Sequence, residues 1–528
     1  MKNAQAIPAD DIASFDSAFM GHPKPLRSLF LTEMWERFSF YGVRPLLILY
    51  MIALINEGGL GMDRPTAAAV VGLYTGALYL ASLPGGWLAD NWLGQQRAVW
   101  YGSLIIALGH ISIALSAAFG SALFFIGLVF IVVGTGLFKT CASVMVGALY
   151  SEGDPRRNGG FSVFYMGINL GAFIAPFICG AFTETLGWHW GFGVGGVGML
   201  AALLIFRLVT GPQMRRFAVL KNIEPSWERP NVRRKGVGKA VAAIVVFAAG
   251  LIALVVNGAI PLNPYMLAEV MTYVICACLA GYFVYLLFFA KFTALEKIRL
   301  LTSFILLSMA VLFLAILEQQ PTSYNLFAQD FTNRVVFGFE IPTTWFQALG
   351  PLFVIISAPV FSYVWVGLAK KNMEPSNISK FAIALLFCAV GFGLMILAVN
   401  GVIATGLPVS PLWITASFLL LSIGEVCLSP IGLSSMTELA PTSVRGQMMG
   451  LWFAATALGN LTAGLIGGNV SLENIHALPE LFTRCVVVLL AAVVFLFIIN
   501  KPLSRKLSGS RNSENEPPAD ELSVLPVE

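Results

Sequence analysis

One stretch, Leu31 to Tyr50, constrains this chain more than any other. It is long and apolar enough to cross a bilayer as a helix, yet it carries Glu33, Glu36, Arg37 and Arg44. A charge facing lipid at a helix centre costs about 2.5–3.5 kcal/mol, so four would cost roughly 10 kcal/mol or more. These groups must pair with one another or face a wet cavity. The spacing allows both. Glu33 and Arg37 are four apart, Glu33 and Glu36 three apart, and Tyr41 and Arg44 continue the same polar stripe along one face.

The rest of the sequence sets that helix among others like it. Of 528 residues, 57% are hydrophobic and 11% charged, with a mean hydropathy of +0.80. Soluble domains carry about 25% charged residues, so this composition describes an all-α integral membrane protein. The net charge of +4 does not point to nucleic acid, because the basic residues sit in loops beside apolar runs. All seven cysteines fall inside apolar segments without a CxxC pair, and read as small buried residues. The four histidines lack metal-ligand spacing, and His110 reads as a hydrogen-bonded structural group. No HExxH, no GxSxG in a suitable setting and no other metal-spaced cluster is present, so an intramembrane enzyme is the least supported reading and no cofactor or metal is expected. Residues 1–26 contain three Asp and three Pro and no cleavable signal pattern.

Fourteen apolar spans are expected, at 27–55, 65–89, 97–118, 121–149, 158–184, 190–210, 238–260, 266–290, 298–328, 342–369, 379–401, 411–436, 444–468 and 482–500. An even number places both termini on one side. The 211–237 loop carries seven Lys and Arg, and further clusters lie at Arg156-Arg157, Lys291 to Arg299, Lys370-Lys371 and after Lys501. The alternate loops hold only Arg64, Arg334 and Arg484. The positive-inside rule then makes the termini cytoplasmic. The basic loop divides the spans into six, two and six, the plan of a two-bundle transporter with an inserted hairpin. The expected units are a tail at 1–26, a bundle at 27–210, a linker with two inserted helices at 211–297, a second bundle at 298–500 and a tail at 501–528, disordered from Ser508 onward.

Between the second and third spans runs GGWLADNWLGQQR. It resembles the major facilitator loop signature, in which Asp90 and Arg97 would latch neighbouring helices. Outside the first span, few ionisable groups lie deep in apolar sequence. Lys139 in the fourth span and Glu425 in the tenth of the twelve bundle spans occupy equivalent places in the two halves. So do Arg44 in the first and Glu318 in the seventh. Each half offers the opposite sign to its counterpart. Two such pairs make a switch, since protonating a carboxylate removes its charge and lets the halves separate. For a solute, Arg37, Arg44 and Lys139 suit a carboxylate, Glu425 an ammonium and Asn169 an amide. Tyr41, Tyr74, Trp345 and Trp452 suit the walls of an amphipathic cavity.

Two motifs then stand out: Glu33-Met-Trp-Glu36-Arg37-Phe38-Ser-Phe40-Tyr41-Gly42, and FSVFYMGINLGAF around Asn169, with weaker ones at WFQALGP and GEVCLSPIGLSSMTELAP. In these the chain resembles the proton-dependent oligopeptide transporters, a branch of the major facilitator superfamily, from about Leu26 to Asn500 and with the inserted pair of bacterial members. The resemblance implies the major facilitator fold. It implies proton coupling by Glu33, Glu36, Arg37 and Glu318, with the proton as coupling ion and no cofactor. It also implies an outer gate of Arg44 with Glu318 and an inner gate of Lys139 with Glu425. Peptide would be held by Arg44, Tyr41, Tyr74, Lys139, Asn169, Glu425 and Trp452, with its amino end at Glu425 and its carboxyl end at Arg44 and Lys139. Three positions depart from the family: Phe40 replaces a Tyr, Thr140 follows Lys139 where Pro is usual, and Gly350 replaces an Asn that helps bind the amino end. No His stands in the second span where animal members have one.

The expectation is a monomeric symporter in the cell inner (plasma) membrane that imports di- and tripeptides, with peptides, protons and the lipid bilayer as its partners. One proton moving through 100 mV gains about 2.3 kcal/mol, enough for roughly a fiftyfold gradient. The alternatives are transport of another small solute such as nitrate, against which Glu425 argues, and a sensor that binds peptide without moving it.

Overall fold

The computed structural model describes residues 9–151, 153–230, 234, 236–371, 373–470 and 475–514. Arg233 and Lys235 of the basic loop, and the tail past Glu514, lie outside these. The chain is almost wholly helical. A short α1 (Ala9–Asp16) precedes six long helices: α2 (Lys24–Ile52), α3 (Arg64–Leu88), α4 (Gln95–Phe119), α5 (Ala122–Gly147), α6 (Arg157–Leu186) and α7 (Trp188–Ile205). After α8 (Gly211–Lys221) come α9 (Val237–Val256) and α10 (Pro264–Val284). The second half holds α11 (Ala294–Leu317) with its continuation α12 (Asn325–Asp330), α13 (Leu349–Lys370), α14 (Asn377–Thr405), α15 (Leu412–Leu439), α16 (Arg445–Gly467) and α17 (Leu478–Glu514). Thirteen helical stretches among the described residues are long and apolar enough to cross a membrane. The charged α2 is a fourteenth of the same length, which gives two six-helix bundles of the major facilitator type and two extra helices.

Local sequence sets the starts and breaks. Asp63 caps α3 by accepting from the Thr66 amide, and Pro65 fills a first-turn position where no N–H is needed. Thr293 and Glu296 form a reciprocal capping box on α11. The ninth expected span, 298–328, is not one helix. It stops at Leu317, passes through a wide turn over Gln320–Tyr324 and resumes as α12. Pro321 explains the break: it has no N–H to give, and its ring collides with the carbonyl four residues back. The tenth likewise opens with a tight turn over Thr343–Ala348 before α13.

Both tails carry helix. In the first, α1 is docked. Asp16 pairs with Arg156 (3.1 Å) and Lys221 (2.9 Å), and the Phe15 ring is buried beneath Lys24 and Arg216. In the same loop, hydrogen bonds from the Arg156 side chain and amide hold the Asp154 carboxyl below its ordinary range. At the other end the helix does not stop near Ser508; α17 runs to Glu514.

The halves meet chiefly along α3 and α16, and through α6 against α13 and the turn before it. On the first seam a Cβ on Gly72 would lie 2.9 Å from the Gly464 Cα, so only glycine permits this approach. α10 packs on both α3 and α16, whereas α9 lies on the outside and is exposed along its length.

Candidate functional site

The four charges of the Leu31–Tyr50 stretch of α2 turn inward. Glu33, Glu36 and Arg37 are each more than nine-tenths buried. The i,i+4 spacing favoured a Glu33–Arg37 pair, and it forms at 3.4 Å. The tighter bonds go to the adjacent Glu36: Arg37 donates Nε to Oε2 at 2.5 Å and Nη2 to Oε1 at 2.8 Å. In an oily interior the planar guanidinium gains more from this two-point grip than from helical spacing. Glu33 Oε2 is left buried with no hydrogen-bond partner among the described residues, an acceptor open to a proton.

Two turns nearer the far side, Arg44 bonds Glu318 across the halves. Glu318 caps the broken end of α11, where the wide turn stops the helix from carrying it away from the axis. Phe40 lies between the two arginines: the Arg37 and Arg44 guanidinium carbons stand 5.3 and 5.8 Å from its ring centre. Tyr41 meets Phe40 edge-on, and Tyr74 stacks against it at 6.2 Å. The Tyr74 hydroxyl is buried without a hydrogen-bond partner among the described residues.

The second expected pair is not formed. Lys139 sits over the Tyr79 ring at 3.9 Å, and Glu425 makes no ion pair or hydrogen bond among the described residues. Both are half-buried. α5 runs unbroken through Thr140, where a Pro would have removed a backbone donor. Asn169 commits one amide hydrogen to the Tyr165 carbonyl at 3.0 Å and keeps its oxygen free to accept. Trp452 lies against Gly432, whose missing Cβ makes room for the indole. Trp345 donates Nε1 to the Phe177 carbonyl (3.2 Å), where the turn before α13 meets α6. Gly350 accepts from Ser422 at 3.3 Å. Asp90 accepts from Gln95 at 2.7 Å, while Arg97 is exposed on α4. His110 is buried and bonds Ser39 at 2.5 Å.

Four participants escaped the sequence reading. Arg64 bonds Asp330 and the Val470 carbonyl (3.0 Å), and Asn325 donates to the Pro45 carbonyl at 2.8 Å. With Arg44–Glu318 these contacts close the end of the seam away from the termini. Tyr79 is the fourth. Arg64 and Asp330 lie near helix ends, where a charge is ordinary; only their opposite signs in loops on the same side hinted at pairing. No group of three or more His, Cys, Asp or Glu fit to hold a metal occurs among the described residues.

A model described as the POT family matches residues 96–478. The chain is 56% identical over 497 residues to the peptide transporter YePEPT of Yersinia enterocolitica subsp. palearctica, spanning 94% of this chain and 97% of that protein. It is 33% identical over 516 residues to a di-/tripeptide transporter of Lactococcus lactis subsp. cremoris, spanning 94% and 99%. A crystal structure of the peptide transporter POT in complex with sulfate superposes with a TM-score of 0.83 at 36% identity, over 95% of this chain and 99% of that one. Sequence relatives and three-dimensional likeness extend over nearly the whole length, so this chain belongs to the POT family.

Proposed function

We infer that the chain is a proton-coupled symporter that imports di- and tripeptides across the plasma membrane by alternating access. The observation that carries this reading is an asymmetry. The Arg44–Glu318 pair closes one end of the seam, while Lys139 and Glu425, the equivalent pair, stand apart in the same interior. The distribution of Lys and Arg makes the terminal side cytoplasmic. The closed end then faces outward, and the halves 27–210 and 298–500 rock about the central charges, with 211–297 between them.

The mechanism follows from the charges. Protonation of Glu318 removes the partner of Arg44 and loosens the outer end; a peptide enters and its carboxylate satisfies Arg44 and Lys139. Its ammonium goes to Glu425, its amide to Asn169, and Tyr41, Tyr74 and Trp452 take its side chains. Lys139 and Glu425 pair and hold the inner end shut while the outer one is open, and they part once the peptide's own charges engage them, so that the peptide leaves inward. Release of the proton restores the Glu318 charge and reseals the outside. Glu33, Glu36 and Arg37 form a second proton-binding group on the inner part of the same helix, and Asp90 and Arg97 belong to the loop that steadies the inner face. The names of the two relatives and the paired positive and negative ends of the cavity support a zwitterionic peptide over nitrate.

The test is uptake of a labelled dipeptide into proteoliposomes under an imposed proton gradient. A tripeptide should compete, while a single amino acid and nitrate should not. Competition by nitrate, or binding without gradient-driven uptake, would overturn the assignment.

A further inference from the structure

A cavity of about 420 Å³ opens beside the seam of α4 with α7 and α8, on the terminal side and away from Arg44, Glu318, Lys139 and Glu425. Three arginines line it from separate places in the sequence: Arg97 on α4, Arg207 in the turn after α7, and Arg215 on α8. Glu228 also lines it and pairs with Arg215 at 2.6 Å. Arg97 and Arg207 have no ion-pair partner among the described residues, and Arg207 lies over the Trp100 ring at 5.4 Å. The cavity is therefore cationic after internal pairing. Gln96 also lines it, and its Oε1 is buried without a donor.

The surroundings choose between sources of negative charge. Leu104 and Leu108 lie on the face of α4 that Arg97 begins, at helical spacing, and Leu200 and Leu204 lead along α7 to Arg207. All four are exposed, and α4 packs against α7. A cationic crevice thus sits at the foot of an apolar strip that faces the hydrocarbon. A soluble phosphate would use only the crevice. Basic pockets between helices on the cytoplasmic side suit anionic headgroups, and a Trp at that level suits the interface.

We propose that this crevice binds an anionic phospholipid of the leaflet on the terminal side, with its phosphate among Arg97, Arg207 and Arg215 and its chains along α4 and α7. The site lies outside the peptide route and does not depend on the substrate.

The experiment is native mass spectrometry of the full chain released from nanodiscs of mixed phosphatidylglycerol and phosphatidylcholine. Wild type should retain phosphatidylglycerol in preference to phosphatidylcholine. Arg207→Gln should lower that retention about fivefold, the worth of one arginine near a charged surface, and Glu228→Gln should raise it by about the same factor. Opposite shifts from two surface substitutions separate a charge effect from misfolding, which a melting curve checks in parallel. Retention unaltered by both variants would overturn the proposal. So would complete displacement of the lipid by millimolar inorganic phosphate, which would mark the crevice as a site for the free anion.

Discussion

At the scale of single residues, burial decides what each polar group is worth. The Tyr74 hydroxyl is buried with no partner, so it contributes little to the fold and is available to a solute. Tyr74→Phe should leave the melting temperature unchanged or slightly raised while KM for a dipeptide rises about fivefold, the worth of one hydrogen bond. A lower melting temperature with unchanged KM would show that the hydroxyl serves structure. The main charged groups were legible from sequence because an ionisable side chain deep in apolar sequence has few tolerable environments. Glu33, Arg37, Arg44 and Glu318 all follow from that one rule. Tyr79 did not, because an aromatic ring in a membrane helix is ordinary until a cation is found above it.

At the scale of elements, hydropathy located most of the helices to within a few residues, since each must cross about 30 Å of hydrocarbon. It missed the break after Leu317. Pro321 and the two polar residues before it were present, but the apolar run continues on both sides and conceals the turn. It also missed the docking of α1, which rests on ion pairs between residues over a hundred positions apart. The α3–α16 seam gives a prediction at this scale. A Cβ at Gly464 would lie 2.7 Å from the Ala68 carbonyl oxygen and from the Gly72 Cα. Gly464→Val should wedge the outer end open at about 1–3 kcal/mol, so dipeptide uptake falls while the protein still folds and inserts. Spin labels on the exposed Ile55 and Leu407, with Cys276 and Cys278 replaced by serine, should report a longer distance. An unchanged distance with normal uptake would refute the idea that this glycine seam is the outer closure.

At the scale of the whole molecule, the two halves share one problem, which is to hold opposite charges in oil without locking permanently. A buried pair is strong only while both members are charged, and losing one partner leaves the other uncompensated. On the proposed mechanism, that sensitivity is what lets one proton release Arg44 from Glu318 and lets a zwitterion satisfy Lys139 and Glu425, which stand apart. The sequence placed these four residues at equivalent positions of the two halves, but it did not reveal which pair is closed, because both arrangements satisfy the same hydropathy. The most direct test follows the pH inside proteoliposomes when a dipeptide is added outside, for wild type and for Glu318→Gln, with counterflow exchange measured on the same preparations. The account predicts that wild type acidifies the interior as peptide enters, while Glu318→Gln still exchanges peptide but no longer moves protons with it. Acidification by Glu318→Gln equal to that of wild type would contradict it.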